Sequence, residues 1–195
     1  MSSERQSTSA EFKGKSITYL ESCRKPSLYD NYAALGELHD AGRISDEDFE
    51  QAGRDFDKKR DAAIAEYNAY QGPWPYQWKN IDAVVCGILQ RFGLVSCDFY
   101  DLKYLYEADS ISEIRIKGKG TNEEEQVQSI IDTIRNEYMD LLQSSEKLAV
   151  TILDSNRAAC FKKIADCLTG MDVVWHEWGA TAEEKVIELS IVYIE

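Results

Sequence analysis

Residues 113–153, EIRIKGKGTNEEEQVQSIIDTIRNEYMDLLQSSEKLAVTIL, decide the fold class. Glu113–Lys117 alternates polar and apolar residues and ends at a glycine, which predicts a half-buried strand. Thr121–Glu124 has the form of a capping box, and the apolar residues behind it recur at helical spacing. Leu148–Leu153 is a short apolar run, typical of a buried strand. The stretch therefore predicts a strand, a helix and a second strand.

The rest of the C-terminal half continues this pattern. Asn156–Leu168 has helical spacing, and Val173–Trp178 and Val186–Ile194 are two strand-like runs joined by a short loop. The predicted order is β-α-β-α-β-β. Short βαβ crossovers favour parallel neighbours, and the last two strands suit an antiparallel hairpin. We therefore expect a mixed-sheet α+β domain at residues 109–195.

The N-terminal half is predicted to be helical. In residues 27–70, apolar side chains recur at helical spacing on either side of a glycine turn, which indicates a helix hairpin. Ile81–Phe92 carries a broad apolar stripe typical of a core helix, and a shorter helix is expected over Asp98–Glu107. Residues 1–26 are expected to form a flexible tail and a short helix. The fold class is therefore α+β, with a helical region at 27–108 before the mixed sheet.

The helix hairpin resembles a known family. Leu35 and Leu38 precede Ala41–Phe49, which reads AGRISDEDF, and this pattern is similar to the SHOCT-type short helical hairpin. That family is often appended to other domains and is implicated in oligomerisation or binding, so the resemblance implies such a role for residues 29–60. Gly53 departs from the family pattern, in which a lysine is usual. The residues expected to join two copies are Tyr32, Leu35, Phe49 and Phe56.

Composition restricts the class of protein. The 195 residues include 35 acidic and 22 basic side chains, a formal net charge of −13, whereas general phosphate-backbone binders need a basic face. No apolar run approaches the length of a membrane span, and the N-terminus has no apolar signal core. The five cysteines include no CxxC pair, so neither a disulfide framework nor a zinc ribbon fits. We expect a cytoplasmic protein that contacts neither nucleic acid nor membrane directly.

Recognisable catalytic motifs are missing from the sequence. There is no G-x-S-x-G, P-loop or Rossmann glycine pattern, and the two histidines are His39 and His176. Their acidic neighbours do not share a helix or strand face with them, which argues against a metal site. A Cys–His dyad is an alternative use of either histidine, although no local signature supports it. We therefore expect no catalytic residue, metal or cofactor, and a packing or interface role for His176.

Acidic residues dominate two segments. Residues 98–146 hold twelve acidic against five basic side chains, and residues 172–195 hold six against one, so neither segment can pair its charges internally. The charges of residues 46–70 largely pair along one helix. An acidic field steers a basic partner and repels nucleic acid; simple solubility is the alternative explanation. The acidic residues expected to contact a partner are Asp98, Asp101, Glu107, Asp109, Asp132, Glu137, Asp140, Glu177 and Glu188.

Two tryptophans lie in a proline-rich segment. Trp74 and Trp78 belong to Gln71–Asn80, which reads QGPWPYQWKN. Tryptophan is enriched at the energetically dominant positions of protein interfaces, so both residues are candidate partner contacts. The alternative is that they pin the segment to the core.

These features lead to one hypothesis and two alternatives. The first is a non-enzymatic acidic protein that inhibits or regulates a partner by occupying a basic surface, such as one that binds nucleic acid. Small size, acidity and the lack of motifs suggest an anti-defence inhibitor encoded by a phage or mobile element. One alternative is a small cytosolic enzyme or ligand-sensing domain, with a pocket holding Cys97, Cys160 or His176. The other is an oligomeric scaffold, such as a homodimer, joined through the hairpin.

Overall fold

The molecule consists of helical segments followed by a five-stranded mixed sheet. The computed structural model describes residues 7–12, 15–20, 27–90, 97–154, 157–179 and 186–194, and the side chains of 27–90, 97–153, 161–176 and 186–194. Within these residues, helices fill most of the region before the sheet and alternate with strands after it. The α+β fold class is confirmed.

The predicted helix hairpin is present. Its helices are α1, Leu28–Asp40, and α2, Asp46–Ala69. Ser27 begins α1 with a reciprocal capping box, and the Ser45 hydroxyl accepts a hydrogen bond of 3.1 Å from the backbone N–H three residues on. Gly42 lies between the helices with φ of +65°, a left-handed conformation that glycine adopts without steric cost.

Three short elements follow the hairpin, and the first of them is a strand of the main sheet. They are β3 (Tyr76–Trp78), α3 (Ile81–Leu89) and α4 (Phe99–Leu102), and a 3₁₀ turn follows at Lys103–Tyr106. The two predicted helices are therefore present; the first ends at Leu89, and its predicted end, Phe92, lies outside the described residues. Strand β3 was not predicted, because it is three residues long and follows a segment in which prolines interrupt any alternation.

The C-terminal half has the predicted order of strands and helices. Its elements are β4 (Ile111–Lys117), α5 (Glu123–Thr133), a π-helical turn (Ile134–Tyr138), α6 (Met139–Gln143), β5 (Leu148–Asp154), α7 (Arg157–Cys167), β6 (Val173–Gly179) and β7 (Glu188–Ile194). Two details differ from the prediction. Asn122, rather than Thr121, caps α5 by accepting a hydrogen bond of 2.9 Å from the Glu125 N–H. The π turn divides what was predicted as one helix.

The strand order is β3-β4-β7-β5-β6. Strand β7 is antiparallel to both of its neighbours, while β6 pairs with β5 in parallel. The expectation that the last two strands form a hairpin is therefore wrong. The reason is burial: Leu189–Tyr193 is buried on both faces of the sheet, and such a strand belongs at the centre, where neighbours cover it on both sides.

Helices cover both faces of the sheet. On one face, α5, α6 and α7 pack against apolar residues such as Ile114, Val150 and Ile191. On the other face, α2, α3 and α4 pack against Ile111 and Val192. This arrangement makes three layers, with the sheet in the middle. No helix in the described residues is both long enough and apolar enough to cross a membrane.

The N-terminal segment differs from the prediction. Strands β1 (Ser7–Phe12) and β2 (Lys15–Leu20) form a two-stranded antiparallel sheet, separate from the main one, where a flexible tail and a short helix were expected. Ile17-Thr18-Tyr19 consists of β-branched and aromatic residues, which favour an extended backbone over a helix. Residues 1–6 and 21–26, which complete the expected segment, lie outside the described residues.

Candidate functional site

Three strands begin at the same edge of the sheet. Because β4 and β5 are each antiparallel to β7, and β6 is parallel to β5, all three run in one direction. Ile111 at the start of β4 lies opposite Ile194, and Leu148 at the start of β5 lies opposite both Tyr193 and Val173. The chain segments that lead into these strands therefore meet at this edge.

Acidic side chains gather there. Lys147, which precedes β5, lies 3.7 Å from the Asp172 carboxylate, which precedes β6. The same ammonium lies 5.0 Å from the ring centre of Tyr104, in the turn before β4. The three connections are therefore in contact. Each carries exposed carboxylates, which together we call the acidic edge: Glu107, Asp109, Glu146 and Asp172.

Other predicted partner contacts lie on helices α4, α5 and α6, of which α4 precedes β4 and α6 leads into β5. Asp98 caps α4 by accepting a hydrogen bond of 2.7 Å from the Tyr100 N–H, and Asp101 accepts one of 2.9 Å from the Asp98 N–H. Asp132 lies on α5, where it accepts a hydrogen bond of 2.8 Å from Gln128, and Asp140 lies on α6, which leads into β5. All four acidic residues are exposed.

The remaining predicted acids are placed elsewhere. Glu188, at the opposite end of the sheet, is half-buried and lies 3.4 Å from the Lys117 ammonium. Glu137, in the π turn, lines a cleft beside β4 together with Glu188. Glu177 belongs to β6, but its side chain is outside the described residues. The structure therefore brings together only part of the predicted set.

The charges on α2 contrast with those of the acidic segments. Arg54 lies 3.7 Å from the Glu50 carboxylate, and Arg60 lies within 3.2 Å of both Asp57 and Asp61. Six of the predicted partner contacts are exposed and form no ion pair with any described residue: Asp98, Asp101, Glu107, Asp132, Glu137 and Asp140. Helix α2 thus compensates much of its charge locally, and the acidic segments do not.

The tryptophans pin the proline-rich segment to the sheet. Trp78 is only 5 % exposed, and its indole N–H donates a hydrogen bond of 2.8 Å to Glu113. Trp74 is half-buried, with its ring centre 4.7 Å from the Arg115 guanidinium carbon. The suggestion that Trp78 contacts a partner is corrected, since the core already covers its ring and satisfies its donor.

Glu113 is the centre of a buried polar cluster that sequence reasoning missed. Its carboxylate is fully buried and accepts hydrogen bonds from the Tyr67 hydroxyl at 2.9 Å, the Ser190 hydroxyl at 2.7 Å and Arg115 Nε at 2.7 Å. With Trp78, these donors join α2, β3, β4 and β7. Strand alternation is enough to predict that Glu113 and Ile114 lie on opposite faces of the sheet. The hydrogen-bond partners of Glu113 are not predictable in this way, because they lie up to 77 residues away in the sequence.

A second polar feature crosses the same face of the sheet. Arg115, Ser190, Thr151 and His176 lie opposite one another on four adjacent strands. Sγ of Cys97 lies 3.9 Å from Nδ1 of His176, which also accepts a hydrogen bond of 3.4 Å from the Cys97 backbone N–H. The pair has the composition of a nucleophile and a base.

The chemistry of this pair is unlike that of an activated thiol. Burial, with a smaller contribution from Asp101, raises the pKa of Cys97 to about 11. A reactive cysteine has a lowered pKa, because the thiolate is the nucleophile. His176 is 2 % exposed, which agrees with its expected packing role. The described residues contain no group of three or more His, Cys, Asp or Glu side chains placed to hold a metal ion.

The residues predicted to join two copies contact each other within one chain. The Tyr32 ring stacks on Phe56 and Phe49, with centroid distances of 4.6 and 5.6 Å. Leu35 packs against the small apolar cluster that includes Leu38. These contacts hold α1 against α2. A contact between copies through the same hairpin stays a prediction.

Comparisons with known proteins identify no family. No protein-family model and no curated protein sequence matches the chain. One similar solved structure is an empty FtsZ dimer from M. jannaschii, with a TM-score of 0.46 and 12 % identity over 60 % of this chain and 36 % of that one. Another is a GTPγS-form protofilament of TubZ from Bacillus thuringiensis serovar israelensis, with a TM-score of 0.38 and 12 % identity over 86 % of this chain and 48 % of that one. The chain thus spans less than half the length of either protein, and at these scores neither likeness bears on function.

Proposed function

We propose that this is a non-enzymatic binding protein that presents the acidic edge, and the exposed carboxylates of α4 and α6 beside it, to a basic surface of a partner protein. The observation that supports this most is that Glu107, Asp140 and Glu146 are exposed, form no ion pair with a described residue, and lie on the connections leading into β4 and β5. Binding inhibits or regulates the partner by occupying a surface that otherwise meets nucleic acid.

The physical basis is long-range attraction between opposite charges. A protein with a net charge of −13 attracts a basic partner and repels a phosphate backbone. Carboxylates already paired with arginine, as on α2, contribute less to this field because the pair is nearly neutral at a distance. The unpaired carboxylates therefore dominate steering toward the partner, and such steering weakens as salt screens it.

The test compares two sets of substitutions that change the net charge equally. The edge variant is E107Q/D109N/D140N/E146Q. The control variant is E47Q/E50Q/D57N/D61N, which alters exposed residues of α2. Tagged full-length proteins are used to capture partners from the native cells, and the captured proteins are quantified by mass spectrometry.

The proposal predicts one defined pattern of capture. A basic protein is retained by the wild type and the control variant, is lost from the edge variant, and is released as salt is raised. Added double-stranded DNA then displaces the chain from this partner. Equal capture by the edge variant, or capture that salt and DNA leave unchanged, would contradict the proposal.

A further inference from the structure

A cleft lies beside β4, close to a buried, fixed charge. Strand β3 pairs with only the first three residues of β4, Ile111–Glu113, so the outer edge of β4 beyond them faces no described strand. A cleft of about 470 Å³ opens along this edge, between the proline-rich segment and the π turn after α5. Small-molecule sites have volumes of this order, roughly 300–1,000 Å³.

Arg115 is held rigidly in the wall of this cleft. Its Nε donates to Glu113 at 2.7 Å, and its guanidinium carbon lies 4.4 Å from the centre of the Tyr67 ring and 4.7 Å from that of Trp74. Burial acts to lower the pKa of Arg115, but Tyr67 and the Glu113 carboxylate outweigh it, so the pKa lies above its usual value. Nη1 of Arg115 makes no hydrogen bond to any described residue, so this part of the guanidinium group can donate hydrogen bonds to a ligand.

Two lysines extend the positive charge along the cleft. Lys117 shares the strand face of Arg115, and Lys119 follows it after one glycine; both are exposed and line the cleft. Lys117 lies 3.4 Å from the Glu188 carboxylate, whereas Lys119 forms no ion pair with a described residue. Arg115, Lys117 and Lys119 thus place three cations within five consecutive residues along the cleft.

The opposite wall is formed by the π turn. Thr133 and Glu137 line the cleft from this side, and Glu137 is exposed and forms no ion pair with a described residue. Single π turns within α-helices occur frequently at functional sites, because the extra residue redirects side chains. Here the turn places a carboxylate, which accepts hydrogen bonds from hydroxyl groups, across the cleft from the three cations.

We infer that the cleft binds a small phosphorylated molecule that also bears hydroxyl groups. Arg115, Lys117 and Lys119 bind the phosphate, since its three oxygens and charge of nearly −2 suit several cations, whereas one arginine fork satisfies a carboxylate. Glu137 accepts a hydrogen bond from a hydroxyl of the same molecule. This site is separate from the acidic edge, so its test does not depend on the proposed partner.

The test uses inorganic phosphate, ribose 5-phosphate and acetate as probes of the full-length chain. The Arg115 Nε–Hε resonance is followed by NMR at constant ionic strength. Both phosphates are expected to shift it saturably, ribose 5-phosphate at lower concentration, while acetate at equal concentration produces less than about a tenth of the shift. Linear responses, or an equal response to acetate, would overturn the inference.

Substitutions of exposed residues identify the ligands. K117Q/K119Q is expected to weaken phosphate binding at least tenfold, whereas K58Q/K59Q, which removes the same charge from the exposed face of α2, leaves it unchanged. E137Q is expected to abolish the advantage of ribose 5-phosphate while inorganic phosphate still binds. Equal weakening by both lysine pairs would show a general charge effect and refute the site.

Discussion

At the scale of the residue, the Glu113 carboxylate shows how a buried charge is made tolerable. Removing an ion from water is costly unless its hydrogen-bonding capacity is filled. Here two hydroxyls, an indole N–H and a guanidinium all donate to one carboxylate. The donors come from α2, β3, β4 and β7, so the carboxylate also fixes the relative positions of four elements. The cluster is therefore expected to contribute to stability only while it is complete.

Replacing Glu113 with alanine tests this dependence. We expect E113A to lower the free energy of unfolding by about 3–5 kcal/mol, because it leaves the Arg115 charge and three other donors without their acceptor. The control is E188Q, which breaks a partly exposed ion pair and should cost less than about 1 kcal/mol. Urea denaturation followed by circular dichroism measures both. A cost for E113A below that of E188Q would refute the role given to the cluster.

The Cys97 thiol provides a second test at this scale. With a pKa of about 11, its alkylation by iodoacetamide should be slow at pH 7 and should rise about tenfold per pH unit up to pH 10. Peptide mass spectrometry measures the rate at this site. H176N should leave the slope unchanged. A rate that levels off near neutral pH in the wild type, and loses that plateau in H176N, would instead support the enzyme alternative.

At the scale of the element, α2 and α3 approach each other closely at Gly87 and Tyr67. A Cβ atom added to Gly87 would overlap the Tyr67 ring, which is itself fully buried. Glycine therefore stands in the interior of α3 for a packing reason, despite its poor helix propensity. The close approach lets Tyr67 reach Glu113 in the sheet below.

Two glycine-to-alanine substitutions separate packing from propensity. G87A should destabilise the protein by about 1–3 kcal/mol, since the Tyr67 ring must move. G36A, in α1, meets no atom within 4 Å and should stabilise it by about 0.5–1 kcal/mol through helix propensity. Thermal and urea unfolding measure both changes. If both substitutions changed the free energy of unfolding in the same direction, the contact with Tyr67 would not be the reason for glycine at position 87.

At the scale of the whole molecule, the excess of acid acts on folding as well as on binding. Most of the unpaired carboxylates lie on the surface, where they repel one another, and the few surface ion pairs offset little of this repulsion. Salt screens both effects. Because repulsion is the larger, screening should stabilise the folded chain.

Stability should therefore rise with ionic strength. We expect the urea midpoint to increase between about 20 and 200 mM NaCl, a range over which the screening length falls below the separation of most surface charges. The edge variant, with four fewer negative charges, should respond less than the wild type. A midpoint that falls with salt would mean that ion pairs, rather than repulsion, dominate the surface.

The sequence predicted most elements because their signals are local. The apolar spacing of α5, the cap of α2 at Ser45 and the alternation of β4 each depend on residues within one or two turns of each other. The π turn, the three-residue strand β3 and the β1–β2 hairpin were missed. Each either is short or competes with a helical pattern, so local spacing alone does not distinguish it.

The sequence by itself determined the fold class, the helix hairpin and the excess of acid in residues 98–146, since these depend on composition and short-range periodicity. Only the tertiary structure decided that β7 lies between β4 and β5. This position buries both faces of β7, and no residue next to β7 in the chain specifies it. That choice makes β4, β5 and β6 start at one edge and brings Ser190 to Glu113. The acidic edge and the Arg115 cleft both follow from strand order, because they join residues that the sequence keeps far apart.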